Sequence, residues 1–525
     1  MASTATDAIV IGAGHNGLAA ALHLAMSGLS VVVLEREAEV GGAVRTAEVT
    51  RPGFRHDLYA MNLSLFAGSP FHAAHGETLA KHGLAFTHAT DCFASPFPDG
   101  RWLGVSQDME ANATRVDAFD PADGARWRAM SAEFGADAPH FFALLGAPMG
   151  KTALAKVCIN ALRTKGMAWT LDAVRFLLSS PRAFLDENFQ SAEVKALLAP
   201  WAMHLDFPPD AAGGALFPYL EAMADQSFGM ALGKGGADVV PNSLRAAIEA
   251  AGGIVRTGVD VTGVEQTAGR AVAVRCSDGE VFRAKEAILA SVTPHAFLGL
   301  VDGTTGRPAV DAALQKFRHG PGTLMIHVAA SALPQWRAGE ALQRFAYVHL
   351  APTLAGLSRT YAEAMEGLLP AEPGVVVGQP TAIDPSRAPE GQHTLWIQVR
   401  VVPPAIKGDA RGEIAATAWA DAKEAMADRV MAMIEDAAPG FGETVLDRAV
   451  HSPDDLAAAN VNLVGGDSLG GSHHLRQNFL FRPAPGMARY QSPVRGLYMI
   501  GSSTWPGAGV GAGSGFMAAK AIVGR

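Results

Sequence analysis

Residues 7–37, DAIVIGAGHNGLAAALHLAMSGLSVVVLERE, constrain this chain more than any other stretch. An apolar strand runs into a turn with Gly12, Gly14 and Gly17, an Ala/Leu helix follows, and a second apolar strand ends at Glu35. Each residue type has a mechanical reason. Gly12 permits the tight turn, Gly14 lets the backbone approach a pyrophosphate, and Gly17 lets helix and strand pack closely. The helix N-terminus then faces the phosphates, where its N–H groups and dipole contribute about 0.3–1 kcal/mol to holding an anion. His15 and Asn16, between Gly14 and Gly17, join this candidate set. Glu35, 18 residues after Gly17, can accept hydrogen bonds from ribose hydroxyls and would repel a 2′-phosphate. ADP-ribose of FAD or NAD is therefore favoured over NADP.

The C-terminus separates these two. LYMIGSSTWPGAGVGAGSGFMAAKAIVGR (497–525) again runs strand, glycine turn, helix, with Gly507, Gly509 and Ala512 superficially repeating the fingerprint. Only ten residues follow Gly515, too few for the helix, second strand and acid of a complete βαβ unit. The segment must instead complete the first domain. In flavoproteins built this way such a segment lays its turn against the ribitol and its helix N-terminus against the flavin ring, which makes Gly501, Ser502, Gly509 and Val510 cofactor candidates and FAD the expected cofactor.

On VIGAGHNGLAAA (10–21), LEREAEVGGAVRT (34–46), NLVGGD (462–467), FRPAPGMARYQSPVRGLYMIGSS (481–503) and WPGAGVGAG (505–513), the chain resembles the FAD-dependent phytoene-desaturase-like oxidoreductases. Within them it is most similar to the branch of the pyridine nucleotide-disulfide oxidoreductase domain-containing protein 2 kind. The segments sit at both ends in the expected order. Two departures stand out: Ala43, not Arg, follows Gly41-Gly42, the nearest cation being Arg45, and Gly501-Ser502 replaces a common Gly-Asp. The resemblance implies an α/β fold, with a Rossmann-type FAD-binding domain of the glutathione-reductase/amine-oxidase kind and an interleaved α+β substrate domain. It also implies adenine contacts at Val261, stacking by Arg36, and a second pyrophosphate approach by Gly42 and Arg45.

Composition agrees. The 525 residues would allow about three domains by length alone. With 49% hydrophobic residues and mean hydropathy +0.14, a large core is available. No apolar run reaches the roughly 18 residues of a spanning helix and MASTATD is no signal peptide, so a cytoplasmic location is expected. A formal charge of −9 argues against a nucleic-acid partner. Cys92, Cys158 and Cys276 are scattered and expected to be buried small hydrophobes, not a redox disulfide. No residues have metal-ligand spacing.

Composition shifts divide the chain into interleaved segments. Residues 1–70, 233–300 and 441–525 are expected to form the FAD-binding domain, and 71–232 and 301–440 the substrate domain. From 71 to 230 the pattern is helical, with an Asp-Pro start at 120–121. Strands are expected at 324–331 and 394–402, a hairpin around Asp278-Gly279 followed by a short strand 287–290, and a helix over 412–436. His204, His473 and His474 are the histidines expected to face a cavity, Lys234 a solvated loop charge.

Three functions fit this reading. The first is hydride transfer between flavin and a hydrophobic small-molecule substrate, by desaturation, saturation or isomerisation of a C=C bond; the flavin carries that chemistry and the protein binds, orients and excludes water. The second is flavin amine oxidation, which calls for an aromatic pair beside the flavin, Trp505 foremost. The third is a non-catalytic, FAD-stabilised interaction or chaperone-like protein. No residue is singled out as catalytic, and the oligomeric state is open. Residues 150–185 reverse the local charge, with Lys151, Lys156, Arg163, Lys165, Arg175 and Arg182 against Asp172. Interleaved with apolar side chains, they mark a segment for peripheral membrane contact.

Overall fold

The computed structural model describes residues 5–351 and 353–524. Thr6–Ile11 is the centre of a parallel sheet, flanked on one side by Val31–Leu34 and Ile254–Arg256, and on the other by the end of Val281–Ser291 and by Leu497–Ile500. Counted along the chain, the strand order is third, second, first, fourth, fifth, the doubly wound arrangement. The continuous apolar runs follow from burial on both faces. Ala8, Val10, Val31, Val33 and Leu289 pack into one core with the His15–Met26, Val239–Ala250 and Gly513–Val523 helices. Ile9, Ile11, Val32, Leu34 and Ile288, pointing the other way, pack against Val264, Val274 and the Pro294–Leu300 helix.

Leu497–Ile500 pairs in parallel with Val281–Ser291, and the C-terminal helix lies on His15–Met26. The C-terminal segment thus completes the first domain. The Asp278-Gly279 hairpin forms as Arg270–Cys276 against Val281–Ser291. One difference is that 287–290 is no separate strand, because the hairpin's second strand runs on unbroken into the parallel sheet.

A second, seven-stranded sheet runs Val445–His451, Gly322–Ala330, His393–Val402, Val375–Gly378, Tyr347–Leu350, Asp91–Pro96, Trp102–Ser106. Three expectations need correction here. Val445–His451 is an edge strand of this sheet, bonded along Gly322–Ala330, so the last flavin-domain segment starts after it and not at 441. The stretch 71–230 is not helical throughout, since the Asp91–Pro96 hairpin belongs to the sheet. The expected 412–436 helix is Trp419–Ala437, since Asp409 accepts the amides of Glu413 and Ile414 and holds the preceding turn out of the helix. The Asp120-Pro121 start holds, with the Asp120 carboxylate capping Pro121–Leu145 at Ala122 N.

The buried Arg387 ties together the two small two-stranded ribbons that carry Asp57 and Gly233. Its guanidinium donates to Asp57 at 2.6 Å, Asp384 at 3.3 Å and the Gly233 carbonyl at 2.5 Å. Asp57 in turn accepts from Thr46 and Ala237 N, so both charges are compensated inside the protein.

Candidate functional site

A single cavity of about 1770 Å³ runs from the glycine turn to the second sheet. Gly12, with φ +93°, ends the first strand and donates its N–H to the Leu34 carbonyl. A Cβ on Gly17 would stand 2.1 Å from the Gly12 carbonyl oxygen, which is the close helix-to-turn approach the spacing predicts. A Cβ on Gly14 would meet nothing within 4 Å. The helix starting at His15 has no side-chain cap and no acid in its first turn, leaving its amides for an anion. Together these suit a pyrophosphate.

Glu35 closes the second strand, buried, its carboxylate accepting from Ala13 N at 2.6 Å and Glu37 N at 2.9 Å. It both braces the glycine turn and lines the cavity. Gly42 stacks on the turn, its Cβ position 3.3 Å from the Gly14 Cα, while Gly41 N bonds the Ala13 carbonyl. Asn16 Nδ2 and His15 Nε2 are 2.9 Å apart, and burial lowers the His15 pKa to about 4, leaving a neutral ring. Arg36 and Arg45 are held by Glu37 at 3.3 Å and Glu39 at 3.2 Å.

The structure brings Gly12, Gly14, His15, Asn16, Glu35, Arg36, Gly42, Arg45, Val261, Gly501, Ser502, Gly509 and Val510 onto the wall of this one cavity, while Gly17 lies behind it. The C-terminal turn is held by the buried Arg482, which donates to the carbonyls of Gly470, Ser472 and Ser502, and by His473 Nε2, which accepts from Ala508 N. A Cβ on Gly509 would stand 2.4 Å from Leu65 Cδ1, so a side chain there collides first with Leu65.

Other candidates fall elsewhere. Trp505 is buried outside this cavity, donating to the Ala147 carbonyl and packed on Phe479. His204 lines the cavity, whereas His473 lines a smaller neighbour and His474 Nε2 bonds the Asp206 carbonyl. Lys234 is exposed. Cys158 is exposed, contrary to expectation, because its helix leaves most of its surface to solvent, while Cys92 and Cys276 are buried. Among the described residues there is no cluster fit for a metal.

The far wall holds residues that sequence reasoning missed. The Leu216–Phe228 helix turns Phe217, Leu220, Glu221, Ala224, Asp225 and Phe228 to the cavity, at helical spacing. The second sheet turns Trp396, Gln398 and Arg400 to it at period two, with Tyr347 beside Trp396 across the sheet. The available signals were two acids four apart on an apolar helical face and an Arg inside an alternating strand. Burial raises the Glu221 pKa to about 7 and the Asp225 pKa well above the carboxylate range, and lowers the Arg400 pKa to about 10.

A doubly wound sheet whose glycine turn, acid and C-terminal turn share one deep cavity defines a dinucleotide-cofactor flavoprotein. Residues 169–523 match the family described as flavin containing amine oxidoreductase, and residues 10–94 match an NAD(P)-binding Rossmann-like domain. The chain belongs to the flavin containing amine oxidoreductase family, as an FAD-dependent oxidoreductase of the phytoene-desaturase-like kind. Its cofactor is FAD. It is 28% identical to mouse (Mus musculus) pyridine nucleotide-disulfide oxidoreductase domain-containing protein 2, over 98% of this chain and 93% of that one. To a neurosporene-forming phytoene desaturase of Cereibacter sphaeroides it is 25% identical, over 97% and 92%. An oxidoreductase from Methanosarcina mazei shares the fold with TM-score 0.63 at 16% identity, over 99% of this chain and all of that one.

Proposed function

We propose that the protein uses FAD to form, remove or move a C=C bond in a hydrophobic substrate held between the Leu216–Phe228 helix and the second sheet. The carrying observation is the cavity itself, continuous from the glycine turn to a wall rich in Trp201, Phe217, Leu220, Phe228 and Trp396. In this reading the helix amides at His15 and Asn16 and the open approach at Gly14 hold the pyrophosphate. Glu35 meets the adenosine ribose, Val261 and Arg36 the adenine, Gly42 and Arg45 the pyrophosphate, and Gly501, Ser502, Gly509 and Val510 the ribitol and ring. Bound there, FAD supplies the hydride chemistry. The protein's own part is to keep water out and orient the substrate. The phytoene desaturase likeness supports the substrate class, and the burial of Trp505 away from the cavity removes the foremost aromatic candidate of the amine-oxidising alternative. Anaerobic mixing of FAD-loaded protein, oxidised or pre-reduced, with phytoene in detergent tests the reading; bleaching of the oxidised flavin or reoxidation of the reduced flavin supports it, and bleaching by cyclohexylamine alone favours the amine alternative.

Residues 150–185 contribute a peripheral membrane contact in this proposal. Lys151–Leu178 exposes Met167, Leu171, Val174 and Leu178 as one stripe at helical spacing. The cationic field is smaller than the sequence suggested, because Lys165, Arg175 and Arg182 pair with Asp137, Glu187 and Asp210, leaving Lys151, Lys156 and Arg163 without an acid within 4.0 Å among the described residues. No described helix is long and apolar enough to cross a membrane.

A further inference from the structure

The far wall of the cavity gathers more unpartnered polar atoms than a merely apolar substrate requires. Trp201 Nε1, His204 Nε2, Asp225 Oδ2, Trp396 Nε1, Gln398 Oε1 and Arg400 Nε are all out of contact with solvent and lack a hydrogen-bond partner. Leaving such a group unmet is costly, more so when charged, and native proteins carry few of them. Here they lie on three elements facing one space: Trp201 and His204 on the short Pro200–Met203 helix and its C-terminal end, Asp225 on Leu216–Phe228, and Trp396, Gln398 and Arg400 on the cavity face of His393–Val402.

Their charges decide what completes them. The Arg400 guanidinium forms no hydrogen bond and no ion pair within 4.0 Å among the described residues. Glu221, which interacts with Arg400, and Asp225, which interacts with Glu221, are held toward their neutral forms by burial. His204 and His349, which also face Arg400, are kept neutral by burial, and Tyr347 stays a phenol. At about pH 6 and below, the wall therefore carries one uncompensated cation among neutral groups. An ammonium group would be repelled by Arg400 and would need both carboxyls ionised in a desolvated site.

We infer that the substrate is an amphiphile whose carboxylate head is bound by Arg400, beside Trp201 and Trp396, while its apolar body extends along the cavity toward the flavin end. Guanidinium binds a planar carboxylate through two parallel hydrogen bonds, and in a site closed to water such a contact is stronger than at a surface. This rests on the reading of the cavity as the substrate chamber. It narrows the substrate from hydrophobic molecules in general to those with one anionic end.

The test is binding, read by quenching of tryptophan fluorescence in the FAD-loaded protein and independent of turnover. The probes are oleate, oleyl alcohol and oleylamine below their micellar concentrations. At about pH 6 oleate should bind at least tenfold tighter than the alcohol, and oleylamine weakest. Arg400→Met should abolish the preference and Arg400→Lys restore part of it. Raising the pH to about 8.5 ionises Glu221 beside Arg400, so oleate should weaken several-fold, and Glu221→Gln should remove that pH dependence. Equal affinity for the three probes in the wild-type protein, or tighter binding of the amine, overturns the inference. Failure of every hydrophobic probe either to bleach the oxidised flavin or to reoxidise the reduced flavin, while oleate still binds selectively, would instead sink the C=C reading and leave the carboxylate site standing.

Discussion

Gly14 and Gly17 are three residues apart and stand in different surroundings, and substitution separates them. The Gly17 position faces a backbone carbonyl at 2.1 Å, which cannot swing aside as a side chain can. Gly17→Ala should therefore cost about 2–3 kcal/mol in urea unfolding of the apoprotein, as overpacking does. Gly14→Ala has room, so apoprotein stability should stay within about 0.5 kcal/mol of wild type, while FAD affinity, measured by fluorescence titration, should fall. Equal stability losses for both would contradict the assignment. Glu35→Ala removes the acceptor of the Ala13 and Glu37 amides and should weaken FAD binding about tenfold or more, the loss expected for charged hydrogen bonds in the interior. Glu221 titrates with a folded pKa of about 7, raised from 4.5 by burial. A raised carboxyl adds stability that is present at low pH and lost as pH rises through the folded value. Glu221→Gln should accordingly raise the melting temperature of the FAD-loaded protein at about pH 8 and leave it unchanged at about pH 4; a pH-independent effect would place Glu221 in water.

At the scale of elements, the βαβ unit and the C-terminal strand and helix were legible because short-range rules govern them: fixed glycine spacing, continuous apolar strands and too short a tail for a second domain. The strand carrying Trp396, Gln398 and Arg400 was legible as a strand, but its cavity face was not, since which face a strand buries depends on a partner hundreds of residues away. Val445–His451 was missed for the same reason: its pairing with Gly322–Ala330 is non-local and its own burial is only partial. The helical span Lys151–Leu178, kinked at Gly166, was found by its charge, yet its ion pairs with Asp137 and Glu187, and that of the following Arg182 with Asp210, needed the fold. If its exposed stripe meets lipid, the protein should float with vesicles containing phosphatidylserine at low salt and less so at high salt, and Leu171→Glu should abolish flotation without changing melting temperature. Retention of wild-type protein in the soluble fraction with anionic vesicles at low salt would remove the membrane contact.

The molecule as a whole is two large sheets around one cavity, and Arg387 is the buried charged tie between the small ribbons of Asp57 and Gly233 and the turn of Asp384. Arg387→Met would strand Asp57 and Asp384 without their cation in the interior and should cost about 3–5 kcal/mol. Chemical denaturation of the apoprotein checks this, and a change below about 1 kcal/mol would show that the clasp is redundant. The central claim is that this cavity holds FAD and an alkene-bearing substrate together. Its most direct test is the visible spectrum of the FAD-loaded protein under anaerobic conditions, before and after addition of a lipid extract separated into neutral, acidic and amine fractions. The account predicts loss of oxidised-flavin absorbance with the acidic fraction and recovery on admitting an electron acceptor. A flavin that no fraction bleaches when oxidised or reoxidises when pre-reduced, or a protein that takes up no FAD, would contradict it.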